Sequence, residues 1–359
     1  MDANRLTVES AMRRALDLAA RGPVHGPNPQ VGCVLLAPSV REDDVRAVLA
    51  EGWHRGAGTA HAEVDALAQA AKRGVDVRGA TAVVSLEPCN HVGRTGPCSV
   101  ALVAASVVQV VYAVADPNPS AAGGAEHLRA HGVAVRGGLL ADEGEELLRI
   151  WLTSARRGTP YVTLKTATSL DGCVAAADGS SRWITGSAAR EHAHEVRAGI
   201  DAIAVGTGTL LADDPSLTAR TPHGALAVHQ PLRVVVGERE IPTGARIHGP
   251  GGEVVHVRSR DIHDVLAVLG ARDVRHLLVE GGPALATAFL RAGAVDELHS
   301  YVAPMLVGSG RRAVTDLGGR SLDDALRFRT VHTRQLGDDV LVVSRAHPAG
   351  AVVDRAKES

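Results

Sequence analysis

The sequence predicts two successive α/β units, each a sheet covered by helices, and three observations carry that expectation. Short apolar segments alternate along the chain with segments whose apolar residues recur at helical spacing. A polar stretch containing Gly and Pro, residues 153–160 (TSARRGTP), interrupts the pattern near the middle. A chain of 359 residues, at about 150 per domain, has room for two. We expect domains at 1–152 and 160–345, and a tail at 346–359 with little to bury.

In the first half, residues 7–21 carry apolar residues at helical spacing and stop at Gly22-Pro23. A loop, residues 25–29, leads to a strand at 31–36. Residues 61–73 read as a helix, with Val64, Leu67, Ala68 and Ala71 on one face and Gly74 at its end. Strand 81–86, loop 87–97, helix 99–105, strand 107–114 and loop 116–124 follow. Helix 125–131, strand 133–135 and helix 142–151 close the half.

The second half starts again with a strand at 161–168, a helix at 188–198 and strands at 202–205, 233–236 and 253–257. Helix 262–269 precedes strand 276–279, which runs into Glu280-Gly281-Gly282 and a helix at 283–292. Strand 297–302 and a pair at 327–333 and 340–344 complete it. The halves share no internal repeat.

Composition narrows the function. Apolar residues at 45% and charged residues at 22% exclude a disordered chain. Lys+Arg 38 against Asp+Glu 40 leaves a net charge of -2, so nothing draws the whole chain to nucleic acid or an anionic membrane. Aromatics at 2% leave no platform for stacking bases. Four cysteines are too few for a disulfide scaffold, and Cys33 and Cys173 read as small buried residues. The most hydrophobic stretch, 100–115, is broken by Ser106 and Gln109 and is shorter than the roughly 20 residues of a membrane span. The start, Met-Asp-Ala-Asn-Arg, has no apolar core of a secretory signal behind it. The expectation is a cytoplasmic homo-oligomer with a small-molecule substrate and neither nucleic acid nor membrane as partner.

His61-Ala62-Glu63 opens one predicted helix, Pro88-Cys89 follows a strand, and Cys98 stands at the start of another helix. Helix N-termini suit thiolates, because their free N–H groups and dipole favour negative charge. One histidine and two thiolates are three zinc ligands, which leaves a fourth position for water and marks a catalytic site. Glu63, two residues from His61, is then placed to carry protons from the attacking water to a leaving amine, as in the zinc deaminases of nucleobases. His91 is the alternative fourth ligand that would make the site structural.

Simple cytosine and adenosine deaminases space their cysteines Cys-x-x-Cys, whereas eight residues separate Cys89 from Cys98 here. That spacing, Gly93-Arg94-Thr95 within it, Pro27-Asn28-Pro29 before Val31-Gly32, and Asp116-Pro117-Asn118-Pro119 resemble the deaminase half of the bifunctional riboflavin-biosynthesis deaminase–reductase family. Gly96 departs from the family's proline. The resemblance implies a cytidine-deaminase-like α/β/α sandwich and a diaminopyrimidinone ribotide substrate that loses its amine as ammonia. It also implies that Asn28, His54, Asp116 and Asn118 line the pocket.

The second half has no dinucleotide fingerprint, since Gly206-Thr207-Gly208 lacks the third glycine. Its runs from Lys165 to Gly172, Ser181 to Gly186, Arg197 to Arg220 and Val279 to Gly282 resemble the reductase half of the same family, in the same order. That half is similar in fold to dihydrofolate reductase. The resemblance places NADPH against Ala167, Trp183, Thr209, Asp213 and the Gly282-Pro283-Ala284 turn. It places substrate against Ser181, Arg197, Leu217, Arg220 and Glu280, with the two arginines on the ribotide phosphate and Glu280 accepting from hydroxyls. Gly237-Glu238-Arg239 departs from the family, which often has a small hydroxyl residue there. Glu238 repels a phosphate and Arg239 attracts one, so NADPH over NADH rests on the resemblance.

Together these readings describe one polypeptide performing two consecutive steps of riboflavin synthesis, deamination and then reduction of a ribosyl chain to ribityl. Two rivals stand beside it. A deaminase of nucleosides or nucleic-acid bases with an inactive second domain is disfavoured by the cysteine spacing and the missing basic, aromatic face. A zinc-stabilised dinucleotide-binding sensor would keep its function when Glu63 is replaced.

Overall fold

The computed structural model describes residues 4–41, 43–91, 96–118 and 123–347. Gly93-Arg94-Thr95, Pro119 and most of the expected tail lie outside the described residues. The chain divides into two units, Met1–Gly158 and Thr159–Ser359.

The first unit runs β1 (Arg5–Leu6), α1 (Val8–Ala19), β2 (Gly32–Leu36), β3 (Arg46–Trp53), α2 (Ala62–Lys72), β4 (Thr81–Leu86), α3 (Cys98–Ala104), β5 (Gln109–Val114), α4 (Gly124–Ala130), β6 (Ala134–Gly137) and α5 (Ala141–Arg157). Its sheet has the order β1-β3-β2-β4-β5-β6, antiparallel as far as β4 and parallel beyond. Strands β2 and β4 are buried at every position, as strands covered on both faces must be. Two glycines let the covering helices close in. A Cβ on Gly32 would strike the α1 backbone at Ala15 and Ala19, and one on Gly52 the α2 backbone at Ala62 and Ala66. Gly52 pairs with Cys33, so Gly32 and Gly52 face opposite sides, with α1 on one and α2 on the other.

Strand β3 was not expected. Its sequence, RAVLAEGW, mixes charges into a short apolar run, but partners distant in sequence satisfy them. Arg46 is buried and donates to Thr81 Oγ1 at 2.9 Å, and Glu51 pairs with Arg14 at 2.9 Å. Helix α5 runs six residues past the expected end at Trp151, and Gly158 stops it with a φ of 70°.

The second unit runs β7 (Tyr161–Ser169), β8 (Cys173–Ala176), α6 (Ser187–Ala198), β9 (Ala202–Gly206), α7 (Thr207–Asp213), β10 (Leu232–Val236), β11 (Val254–Val257), α8 (Ile262–Gly270), β12 (His276–Val279), α9 (Pro283–Arg291), β13 (Glu297–Ala303), β14 (Gly310–Arg312), β15 (Phe328–Leu336) and β16 (Asp339–Ala346). The main sheet has the order β11-β10-β9-β12-β7-β13-β16-β15, and its first six strands are parallel. The last two are antiparallel. The chain steps outward through β9, β10 and β11, then returns to lay β12 between β9 and β7. Such a reversal opens a crevice at the carboxyl ends of the strands. Strands β8 and β14 form a separate antiparallel pair.

Candidate active sites

Among the described residues, one group of His, Cys, Asp and Glu donors is tight enough to hold a metal: His61, Cys89 and Cys98. His61 is the N-cap residue of α2 and Cys98 the first residue of α3. The loop after β4 brings Cys89 to them. The Ser99 N–H donates to the Cys89 carbonyl at 3.2 Å, and Ser99 Oγ donates to Asn90 Oδ1 at 2.8 Å. His61 Nδ1 lies 3.5 Å from Cys89 Sγ and 3.3 Å from Cys98 Sγ. Tetrahedral zinc with ordinary Zn–N and Zn–S bonds spaces such atoms about 3.6 Å apart, so these side chains fit that ion. Hydrogen bonding from Cys98, and then from His61, pulls the Cys89 thiol down to about 4, while the same contact and burial push Cys98 up. A metal binds both sulfurs as thiolates, so loading the site releases protons. His91 is not part of the group.

Glu63 is only 3% exposed. Burial pushes its carboxyl up to about 7, the Cys89 sulfur adding to the shift and His61 opposing it. A divalent cation on the three ligands would draw it down again.

Asn28 and His54 meet beside this group. His54 is buried, edge-on to His61 with ring centroids 5.5 Å apart. Burial lowers its pKa, so it is neutral near pH 7. Its Nδ1 donates to the Ala60 carbonyl at 3.0 Å, which leaves Nε2 to accept from Asn28 Nδ2 at 3.0 Å. The chain thereby fixes which way the Asn28 amide points. Trp151 of α5 steadies the same loop by donating to the Pro27 carbonyl at 3.1 Å. Asp116 accepts the Asn118 N–H at 2.9 Å in a turn, close enough to Cys89 for that sulfur to help raise its carboxyl, although burial is the larger cause.

In the second unit two adjoining cavities, of about 480 and 660 Å³, open at the carboxyl ends of β7, β9 and β12. Lys165, Ala167, Ser181, Arg197, Leu217 and Glu280 line both. Asp213 also lines both, Thr209, Gly282, Pro283 and Ala284 line the smaller, and Trp183 and Arg220 the larger. The structure thus gathers every residue named for the reductase half into one cleft. Trp183 is 68% exposed with Arg190 stacked 4.5 Å from its ring, so it is not a core residue. Gly282 is the N-cap of α9, and its N–H donates to Thr209 Oγ1 at 3.0 Å.

Arg197 lines the cleft but is also engaged within the chain. Its guanidinium is held two-pronged by Glu280, with Nε to Oε1 at 2.6 Å and Nη2 to Oε2 at 2.7 Å, and Nη1 reaches the Thr218 carbonyl at 3.2 Å. A fork committed in this way has little left for a phosphate. Lys165 Nζ lies 3.8 Å from Glu280 Oε2 and over the Tyr301 ring at 5.6 Å. Burial alone would raise the Glu280 carboxyl, but Arg197 and Lys165 outweigh it and hold it at about 2. Burial lowers the Lys165 pKa in turn. Arg311 and Tyr301 also line the cleft and were not singled out in the sequence. Position 301 alternates inward along an apolar strand, and that was the available signal.

Residues 6–114 match the model of the cytidine and deoxycytidylate deaminase zinc-binding region, and residues 160–342 that of the RibD C-terminal domain. The riboflavin biosynthesis protein RibD of Mycobacterium tuberculosis H37Rv is 47% identical over 339 residues, 94% of this chain and 96% of that protein. RibD of Escherichia coli K12 is 39% identical, covering 92% of this chain and 97% of its own. Among solved structures, Acinetobacter baumannii RibD superposes with a TM-score of 0.84 at 37% identity, covering 95% of this chain and 99% of that one. A diaminohydroxyphosphoribosylaminopyrimidine deaminase/5-amino-6-(5-phosphoribosylamino)uracil reductase from Thermotoga maritima gives 0.82 at 31%, with the same coverage. With a metal-ready His–Cys–Cys group in one unit and a nucleotide-sized cleft in the other, this chain belongs to the RibD family of bifunctional deaminase–reductases of riboflavin biosynthesis.

Proposed function

We propose that the first unit releases ammonia hydrolytically from a diaminopyrimidinone ribotide and that the second reduces the ribosyl side chain of the product to ribityl with NADPH. The carrying observation is the pairing of two chemistries in one chain: a zinc-shaped donor triangle beside a buried carboxylic acid, and a long cleft whose two cavities meet at Lys165, Glu280 and Arg197.

Zinc held by His61, Cys89 and Cys98 supplies a Lewis acid that lowers the pKa of water. Glu63 takes up the proton as water attacks the ring carbon and returns it to the departing amine, a task suited to a carboxyl in dry surroundings. Asn28, its NH₂ committed to His54, turns Oδ1 to a substrate N–H.

In the second unit NADPH supplies the hydride. Lys165, its pKa lowered by burial, donates a proton to the sugar ring oxygen as the anomeric carbon is reduced. Arg220 spends Nη1 on the Gly224 carbonyl at 2.7 Å and offers its other donors to the ribotide phosphate. Helix α9 has no side-chain cap, so the first-turn N–H groups of Ala284 and Leu285 suit a pyrophosphate.

The near-balanced charge favours a small-molecule enzyme without nucleic-acid or membrane partners, and we place it in the cytoplasm as a homo-oligomer. Among the described residues no helix is long and apolar enough to cross a membrane. The test is NADPH oxidation after adding the diaminopyrimidinone ribotide to zinc-loaded protein. Oxidation that stops in Glu63→Gln supports both steps in sequence. Ammonia without oxidation removes the reductase assignment, and neither signal removes the substrate.

A further inference from the structure

Residues 237–240, Gly-Glu-Arg-Glu, follow β10, and their three charges go two ways. Glu238 pairs with Arg260 at 3.0 Å. Glu240 meets both Nη atoms of Arg258 at 2.7 Å. Both arginines lie between β11 and α8, so the acids turn to that side and are neutralised there. Arg239, between them, turns the other way. Its Nη2 lies 3.1 Å from where a Cβ would stand on Gly208. Gly208 lines the smaller cavity together with Gly206 and Thr209. Arg239 thus reaches across a bare Cα at the cavity's edge and makes no ion pair among the described residues.

Strand order says what would lie beneath it. The carboxyl ends of β7, β12, β9 and β10 follow one another across the sheet. A dinucleotide must put its nicotinamide at β7, beside Lys165 and the sugar to be reduced, and its pyrophosphate suits the start of α9 after β12. Its adenosine then falls at β9 and β10, three strand spacings or about 14 Å from β7. We infer that Arg239 grips the phosphate ester on the adenosine ribose and sets the preference for NADPH over NADH. This rests on the NADPH reading above.

The test compares kcat/KM for NADPH and NADH, with the deaminated ribotide as substrate, in wild type, Arg239→Ala and Arg239→Lys. Competitive inhibition by adenosine 2′,5′-bisphosphate and by adenosine 5′-monophosphate is measured alongside. In Arg239→Ala the NADPH-over-NADH ratio is expected to fall about 10- to 100-fold, the loss of one charge-assisted contact. The bisphosphate should lose its advantage over the monophosphate to the same extent. Arg239→Lys keeps the charge without the fork and should fall between, and it carries the test if the Ala variant does not fold. A wild-type preference that survives both substitutions overturns the inference alone, and a wild type without preference also overturns it. A wild type that oxidises neither nucleotide overturns the NADPH reading itself.

Discussion

Arg197 and Glu280, 83 positions apart, meet end to end inside the wall of the reductase cleft, with both carboxylate oxygens within 2.7 Å of guanidinium nitrogens. Both side chains are largely buried, so neither charge has water to fall back on. Glu280→Ala leaves Arg197 and Lys165 uncompensated, and we expect it to destabilise the second unit by about 3–5 kcal/mol. Denaturant unfolding checks this, with ammonia release by the first unit as the internal control.

The same pair makes stability acid-sensitive. Glu280 is held at about 2 when folded, against its usual 4.5, so its contribution is complete above pH 4.5 and is lost as the pH falls from there towards 2. The urea midpoint of the second unit should drop across that window, and Glu280→Ala should flatten the drop.

Arg220 keeps guanidinium donors free in the larger cavity, whereas Arg197 spends all three of its nitrogens within the chain. Arg220→Ala should raise the KM for the deaminated ribotide about 10- to 100-fold while changing stability by no more than about 0.5 kcal/mol. Steady-state kinetics beside a melting curve separates the two. An unchanged KM would move the phosphate elsewhere.

Removing metal should silence one unit alone. After chelation, ammonia release is expected to disappear, while oxidation of NADPH with ribotide already deaminated continues. Zinc should restore the first activity without altering the second.

The Asn28–His54 contact fixes the orientation of both side chains beside the His–Cys–Cys group. Asn28→Asp replaces the donor to His54 with an acceptor, so the neutral imidazole must take a second proton, or switch tautomer and give up its bond to Ala60, to avoid facing a like partner. We expect kcat/KM for ammonia release to fall about 100-fold, with bound zinc, measured by metal analysis, retained.

The metal group was legible because its chemistry is written locally: a helix start, a Pro-Cys loop and a second helix start each announce themselves in a few residues. The order of most strands and helices was legible for the same reason. Strand β3 was not, because Arg46 and Glu51 look like surface residues until Thr81 and Arg14 are brought to them. Strands β8 and β14 are four and three residues long, and each exists only by pairing with the other. Gly206-Thr207-Gly208 read as an incomplete nucleotide fingerprint, whereas the chain uses it to turn from β9 into α7. The Arg197–Glu280 pair was not legible, because 83 positions separate the partners and nothing near either one in sequence points to the other.

The late return of β12 has a consequence for biogenesis. β7 and β9 are synthesised early, but the strand that separates them ends only at Val279. While the ribosome works through the intervening chain, the facing edges of β7 and β9 have backbone groups to pair and no native partner. Pairing to each other, or to a neighbouring nascent chain, is the available error. The reductase half should therefore be the slower to mature and the one more dependent on chaperones. In the deaminase half, by contrast, β2 to β6 follow one another closely along the chain.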